Sequence, residues 1–285
     1  MKKILHRLSE PADTLLARLE AAAVRDDQAE KRIKIGCATA LAMVVGGGLG
    51  LGYWSEQLGS KLPFLGLLLV VPVLALVARE HGHDVDDRKL DAAIELIRTL
   101  RADVPAAEPI QLLLDFREYH QAGTKRVDPA APKAKAKAKP GQPEKYLHKW
   151  LEVRTTLADG TAVDAAITDR VSRKSKPKRK YVKVKETFVS DVSLLLRLDK
   201  RYGPAEQVIP RLGHHPDLSW CNERVKRGRG RRLFLAVRTP AARRSNGRGT
   251  SAAFQGVPRL GSGTTILTML SWAYYGLGRG AAKAA

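Results

Sequence analysis

Trp150-Leu-Glu-Val-Arg-Thr-Thr-Leu-Ala-Asp-Gly-Thr-Ala-Val-Asp-Ala-Ala-Ile-Thr-Asp-Arg-Val171 decides the fold of the larger part of this chain. Residues 150–157 have strand composition, Ala158-Asp159-Gly160 is a turn signal, and Thr161 to Val171 supplies a return strand. Asp-Gly between two such runs is among the stronger short-range hairpin cues. Further strand candidates are Ile110–Phe116, Tyr181–Ser190, Val192–Leu198, Arg232–Arg238 and Thr265–Tyr274. About seven strands with no long helix among them predict a β-sandwich or partly open barrel over 105–285. Within it, 124–145 reads as a flexible Pro/Ala/Lys linker, too charged and too poor in apolar residues to fold alone.

N-terminal to this domain the pattern is different. Ile35–Ser55 and Leu62–Ala78 are uncharged, largely apolar runs separated by Glu56-Gln-Leu-Gly-Ser-Lys61. Roughly 20 helical residues cross a hydrocarbon core, so the pair predicts a transmembrane α-helical hairpin over 33–79. Pro63 suits a first helical turn, and Pro72 should kink the second helix. Tyr53 and Trp54 end the first helix where an interfacial aromatic belt is expected. A cleaved signal peptide has a different layout, because here the apolar run starts only after a charged segment. Basic residues flank both outer ends (Arg18, Arg25, Lys31, Arg32, Lys34; Arg79, Arg88, Lys89, Arg98), whereas the hairpin loop has only Lys61. That asymmetry predicts an integral membrane protein with both termini in the cytoplasm. Cys37 and Cys221 imply no disulfide framework.

Residues 1–32 read as an amphipathic N-terminal helix, with Ile4, Leu5 and Leu8 among Lys2, Lys3 and Arg7 suiting an anionic leaflet. Residues 80–104 read as a connecting helix, with Leu90, Ile94, Ile97 and Leu100 on one face and Asp84 as N-cap. The nearby His81, His83 and acidic residues fit a capped helix start better than a metal site. On the first membrane helix, Ala38, Ala42, Gly46 and Gly50 recur every four residues. Small residues at that spacing permit close helix packing, against another membrane subunit, a second copy or the chain's own second helix.

Charge divides the chain sharply. Residues 1–121 hold 15 Lys/Arg against 17 Asp/Glu, and residues 122–285 hold 35 against 12, so the net +21 belongs to the β-rich half. Three clusters carry much of it. They are Lys133–Lys145; Arg173, Lys174, Lys176, Lys178, Arg179 and Lys180; and Arg224, Lys226, Arg227, Arg229, Arg231 and Arg232, continued by Arg243 and Arg244. Each falls at a strand junction, which predicts basic loops on a β scaffold. Their expected partner is a polyanion, either nucleic acid, a ribonucleoprotein or anionic lipid head groups. Aromatic residues make up only 6% of the chain, which argues against base-stacking platforms.

Catalytic signatures are weak. His214, His215, Asp217 and Cys221 form the best constellation, but no partner Cys-x-x-Cys motif completes a zinc set. Asp159, Asp164 and Asp169 alternate as turn and strand acids do. No nucleophile elbow, His-Glu-x-x-His or kinase motif is present. No catalytic residue, metal or cofactor is expected. The reading is a non-enzymatic membrane protein that presents a cationic β-rich domain to tether or recruit a polyanion at the cytoplasmic face. The alternative is a structural subunit of a membrane complex, packed through the glycine-rich helix.

Overall fold

The computed structural model describes residues 5–58, 70–73, 75, 77, 86–120, 143–177, 179–180, 182–245, 253–254 and 261–281, with backbone alone for 46–58, 253–254 and 279–281. Two compact units divide the chain, one within 18–87 and the other made of 5–17 and 88–285.

In the larger unit, β1 (Leu5–Pro11), β2 (Pro109–Asp115), β3 (Glu144–Thr156), β4 (Ala162–Pro177), β5 (Val182–Arg197), β6 (Asn222–Arg229), β7 (Arg232–Arg238), β8 (Ala242–Ser245) and β9 (Ala253–Phe254) form one antiparallel sheet. Leaving out the two-residue β9, it has eight strands. The order is β1-β2-β3-β4-β5-β7-β6, and β8 shares one edge of the long β5 with β7. The sheet is open at β1 and β6 rather than closed into a barrel.

Alternation along the strands explains the layering. Val163, Ala165, Ile167 and Val171 of β4, Phe188, Val192, Leu194 and Leu196 of β5, and Leu233, Leu235 and Val237 of β7 are all buried, and their sequence neighbours are more exposed. This inner face packs on α2 (Asp87–Leu100) and α3 (Gly263–Ala281), which occupy the layer that a sandwich gives to a second sheet. Helix α2 buries Leu90, Ala93, Ile94, Leu96, Ile97 and Leu100, and α3 buries Ile266, Met269, Leu270, Trp272, Ala273 and Leu277.

The expectation of an antiparallel β-rich domain is met, but several elements differ. Thr265–Tyr274 is helix, not strand. Its β-branched and aromatic residues suggest a strand, yet its buried side chains recur at 3–4 spacing against the sheet. Residues 5–11, read as part of an N-terminal helix, form an edge strand that pairs with β2 over seven residue pairs from Leu5/Asp115 to Pro11/Pro109. The two candidates Tyr181–Ser190 and Val192–Leu198 fall on one strand, β5, which runs without a break from Val182 to Arg197. The basic run 224–232 is also not a loop. It is β6, a turn at Gly230 with φ +58°, and the start of β7.

The smaller unit contains most of α1 (Ala12–Leu58). Residues 70–73, 75 and 77 are helical as well. Among the described residues, no helix is long and apolar enough to cross a membrane. Most of Leu62–Ala78 lies outside them.

Candidate polyanion interface

The outer face of the sheet, opposite the helices, is where the cations collect. Parity along each strand places Lys145 and Lys149 of β3, Arg154 after its bulge, Arg170, Lys174 and Lys176 of β4, and Lys183, Lys185 and Arg197 of β5 on that face. Arg232 and Arg238 of β7, Arg227 and Arg229 of β6, and Arg243 of β8 join them through the register. Three acids share the face on β3–β5: Glu152 and Asp191 lie away from the strand ends, and Asp164 lies two residues from the start of β4. Asp191 pairs with Arg170 and Arg238, Asp164 with Arg154, and Glu152 with Lys149 and Arg154. Burial works against the Asp191 charge, but its hydrogen bonds from Arg238 and Arg170 outweigh that and hold the carboxyl below the usual range.

At the two ends of the sheet the balance fails. Lys174 stands directly opposite Lys185, and Lys176 opposite Lys183. At the other end Arg197, Arg232 and Arg229 lie side by side across β5, β7 and β6. Among the described residues none of these seven forms an ion pair. Like charges directly opposite one another destabilise a sheet. The inner face shows the contrast: Glu144, Arg173, Glu186 and Arg244 follow one another across β3, β4, β5 and β8 with alternating sign.

The sequence-predicted residues therefore separate. Lys174, Lys176, Arg227, Arg229, Arg232 and Arg243 lie on the outer face. Arg179, Lys180 and Arg231 sit at the two hairpin tips, Arg224 at a bulge, and Lys178 outside the described residues. Arg173 and Arg244 belong to the alternating inner row, and Arg173 lies 3.9 Å from Glu186. Lys226 points inward: Nζ donates to the Leu212 carbonyl at 2.9 Å and sits 4.5 Å from the centre of the Trp272 ring. Sequence reading missed Lys183, Lys185 and Arg197. The alternation Val182-Lys-Val-Lys185 is the signal that marks the first two as one face of a strand.

Of the residues considered for catalysis, His214 and Asp217 are exposed, and His215, Cys221, Asp159 and Asp169 are engaged structurally. The His215 ring accepts from the Asp217 amide and caps a short 3-10 turn, while Cys221 is buried, its thiol pushed up to about 11 by loss of water. Asp159 accepts from Tyr274 at 2.6 Å, Tyr202 at 2.9 Å and the Thr161 amide at 2.8 Å, tying the hairpin tip to α3. These bonds outweigh burial and hold its carboxyl low. A cavity of about 680 Å³ opens beside it, lined also by Leu157, Leu267 and Leu270. Asp169, mid-strand, takes hydrogen bonds from Arg88 and Ser190 and faces His148 across β3. No group of three potential metal ligands occurs among the described residues.

In the smaller unit, Ala38 and Ala42 are exposed, and Gly46 and Gly50 continue their line on α1. The close approach is made elsewhere, by Gly36, where a Cβ would lie 2.6 Å from Val77 Cγ2.

No family model, no curated protein and no solved structure matches the chain.

Proposed function

We propose that this chain is a non-enzymatic, membrane-anchored adaptor that holds a polyanion on the outer face of its cytoplasmic β-rich domain. One observation carries the reading: the like-charged rows Lys174/Lys185, Lys176/Lys183 and Arg197/Arg232/Arg229 lie on one open face. Each row costs stability in the free protein, and an anionic ligand turns that cost into binding energy. The apolar runs Ile35–Ser55 and Leu62–Ala78 are the anchor, and their basic flanks keep both termini in the cytoplasm. Nucleic acid or a ribonucleoprotein is preferred over anionic lipid, because Asp191 offsets cations between the two like-charged ends, whereas a bilayer offers its charge uniformly.

The test is nucleic-acid affinity of the full chain in neutral detergent as a function of salt. Lys174→Gln with Arg229→Gln and Arg232→Gln should weaken binding equally for all sequences and flatten the salt slope by about 2–3. Unchanged affinity and slope would remove the proposal.

A second reading has its own support. Ala38 and Ala42 are exposed while Gly36 makes the contact with Val77, so the small-residue line is available to another membrane subunit or a second copy. Gly46→Leu with Gly50→Leu should then shrink the native particle without unfolding the sheet.

A further inference from the structure

The cationic groups at the two ends of the outer face have a spacing of their own. Lys185 and Arg197 are both on β5, twelve residues apart, which is about 40 Å at the usual strand rise of roughly 3.3 Å per residue. Between them Asp191 offsets part of the charge of Arg170 on one side and Arg238 on the other. The excess is greater at the two ends than around Asp191, with a span close to one helical repeat of B-form DNA, about 34–36 Å.

Resting on the polyanion reading above, we propose that the ligand of this face is double-stranded DNA, laid along β5 so that the two cationic ends meet phosphates about one turn apart. A duplex viewed from one side presents its backbone, then a groove, then the backbone again. The Arg170–Asp191–Arg238 stretch, where one carboxylate lowers the excess, faces the groove, where excess charge gains less.

Two further features select the duplex over other polyanions. Among the described strand residues, Phe234 is the only aromatic side chain on the outer face. A single-strand site needs successive rings on which bases stack, and a duplex needs none. Beyond β3 and β8 the hairpin of β4 and β5 narrows to a two-stranded ribbon with Lys176 and Lys183 on one side, next to the Lys174/Lys185 pair. A ribbon this narrow can bring its lysines to the phosphates on the rim of a B-form major groove, which the deep, narrow major groove of A-form RNA does not allow.

The experiment uses the full chain in neutral detergent with fluorescent 8- and 18-base-pair DNA duplexes, an 18-base-pair RNA duplex, an 18-nucleotide single strand, and vesicles with and without anionic lipid. Affinity is expressed per base pair, so that a longer ligand gains nothing from site number alone. The 18-base-pair DNA should bind at least about tenfold more tightly than the 8-base-pair DNA, and more tightly than the RNA duplex or the single strand. Neutralising either end, by Lys174→Gln with Lys176→Gln and Lys185→Gln or by Arg197→Gln with Arg229→Gln and Arg232→Gln, should erase the length advantage. Circular dichroism checks that both variants keep the sheet. Equal affinity per base pair at both lengths, or a single strand or RNA binding as well, overturns the duplex proposal and leaves the polyanion reading standing. Tight binding to anionic vesicles with none to nucleic acid overturns it in favour of lipid. No binding to any of these ligands overturns both.

Discussion

His148 is the residue where buried chemistry has the clearest measurable consequence. Its ring is 3% exposed, with Lys89 of α2, Asp115 of β2 and Asp169 of β4 about it, and Arg88 and Arg117 bound to those acids. Burial and then Lys89 lower its pKa, against the opposing pull of Asp115 and Asp169. Its Nε2 is 3.3 Å from Asp115 Oδ2 and poorly aligned for a hydrogen bond. The folded state therefore prefers the neutral ring, while the unfolded chain takes up a proton near the ordinary value of about 6.5. Stability should be full above that pH and fall below it, until the folded ring itself protonates, by at most about 1.4 kcal/mol per pH unit. Urea unfolding across pH 5–7 should show this slope, and His148→Gln should abolish it. A loss confined to pH below about 4 would instead point to Asp115, Asp159 and Asp191, whose carboxyls are all held low. Cys221 offers a second check. With its thiol at about 11, it should resist iodoacetamide at pH 8 in a Cys37→Ser background and react only on unfolding. Rapid labelling of the folded protein would contradict its place in the core.

Among the elements, α3 depends on its approach to α2. At Gly263 any Cβ would collide with the Ala92 carbonyl oxygen, a backbone atom of α2, and crowd the Leu96 side chain. Gly263→Ala should cost about 1–3 kcal/mol by forcing the helices apart, read as a lower urea midpoint. An unchanged midpoint would mean that α3 packs differently. This helix also shows where sequence reading stops. Its apolar spacing of Ile266, Met269, Leu270, Ala273 and Leu277 is helical, but Thr, Ile, Trp and Tyr around it favour a strand, and only the waiting inner face decides. Strand β1 is similar, because Leu5 and Leu8 have helical spacing and the β2 edge that captures them lies about a hundred residues away. The hairpin β3–β4 was legible because the Asp-Gly turn and both strands are contiguous. The basic runs were legible as charge but not as faces. Only the register shows that Lys226 turns inward onto Trp272 while Arg227 and Arg229 turn outward.

For the whole molecule, the proposal rests on where charge lies rather than on how much there is. A net charge of +21 alone attracts any polyanion, with a strength set by ionic strength. The fold adds location: Asp191 is placed against cations between the two ends, acids against cations along the inner row, and the two ends of the outer face are left in excess. The most direct measurement compares two variants of equal net charge in the salt dependence of nucleic-acid binding. One carries Lys174→Gln, Arg229→Gln and Arg232→Gln on the outer face, and the other Arg98→Gln, Arg101→Gln and Arg211→Gln elsewhere. A flatter slope and weaker binding are expected for the first alone, with the second close to the native chain. Equal losses in both would show that net charge, and not the outer face of the sheet, holds the ligand.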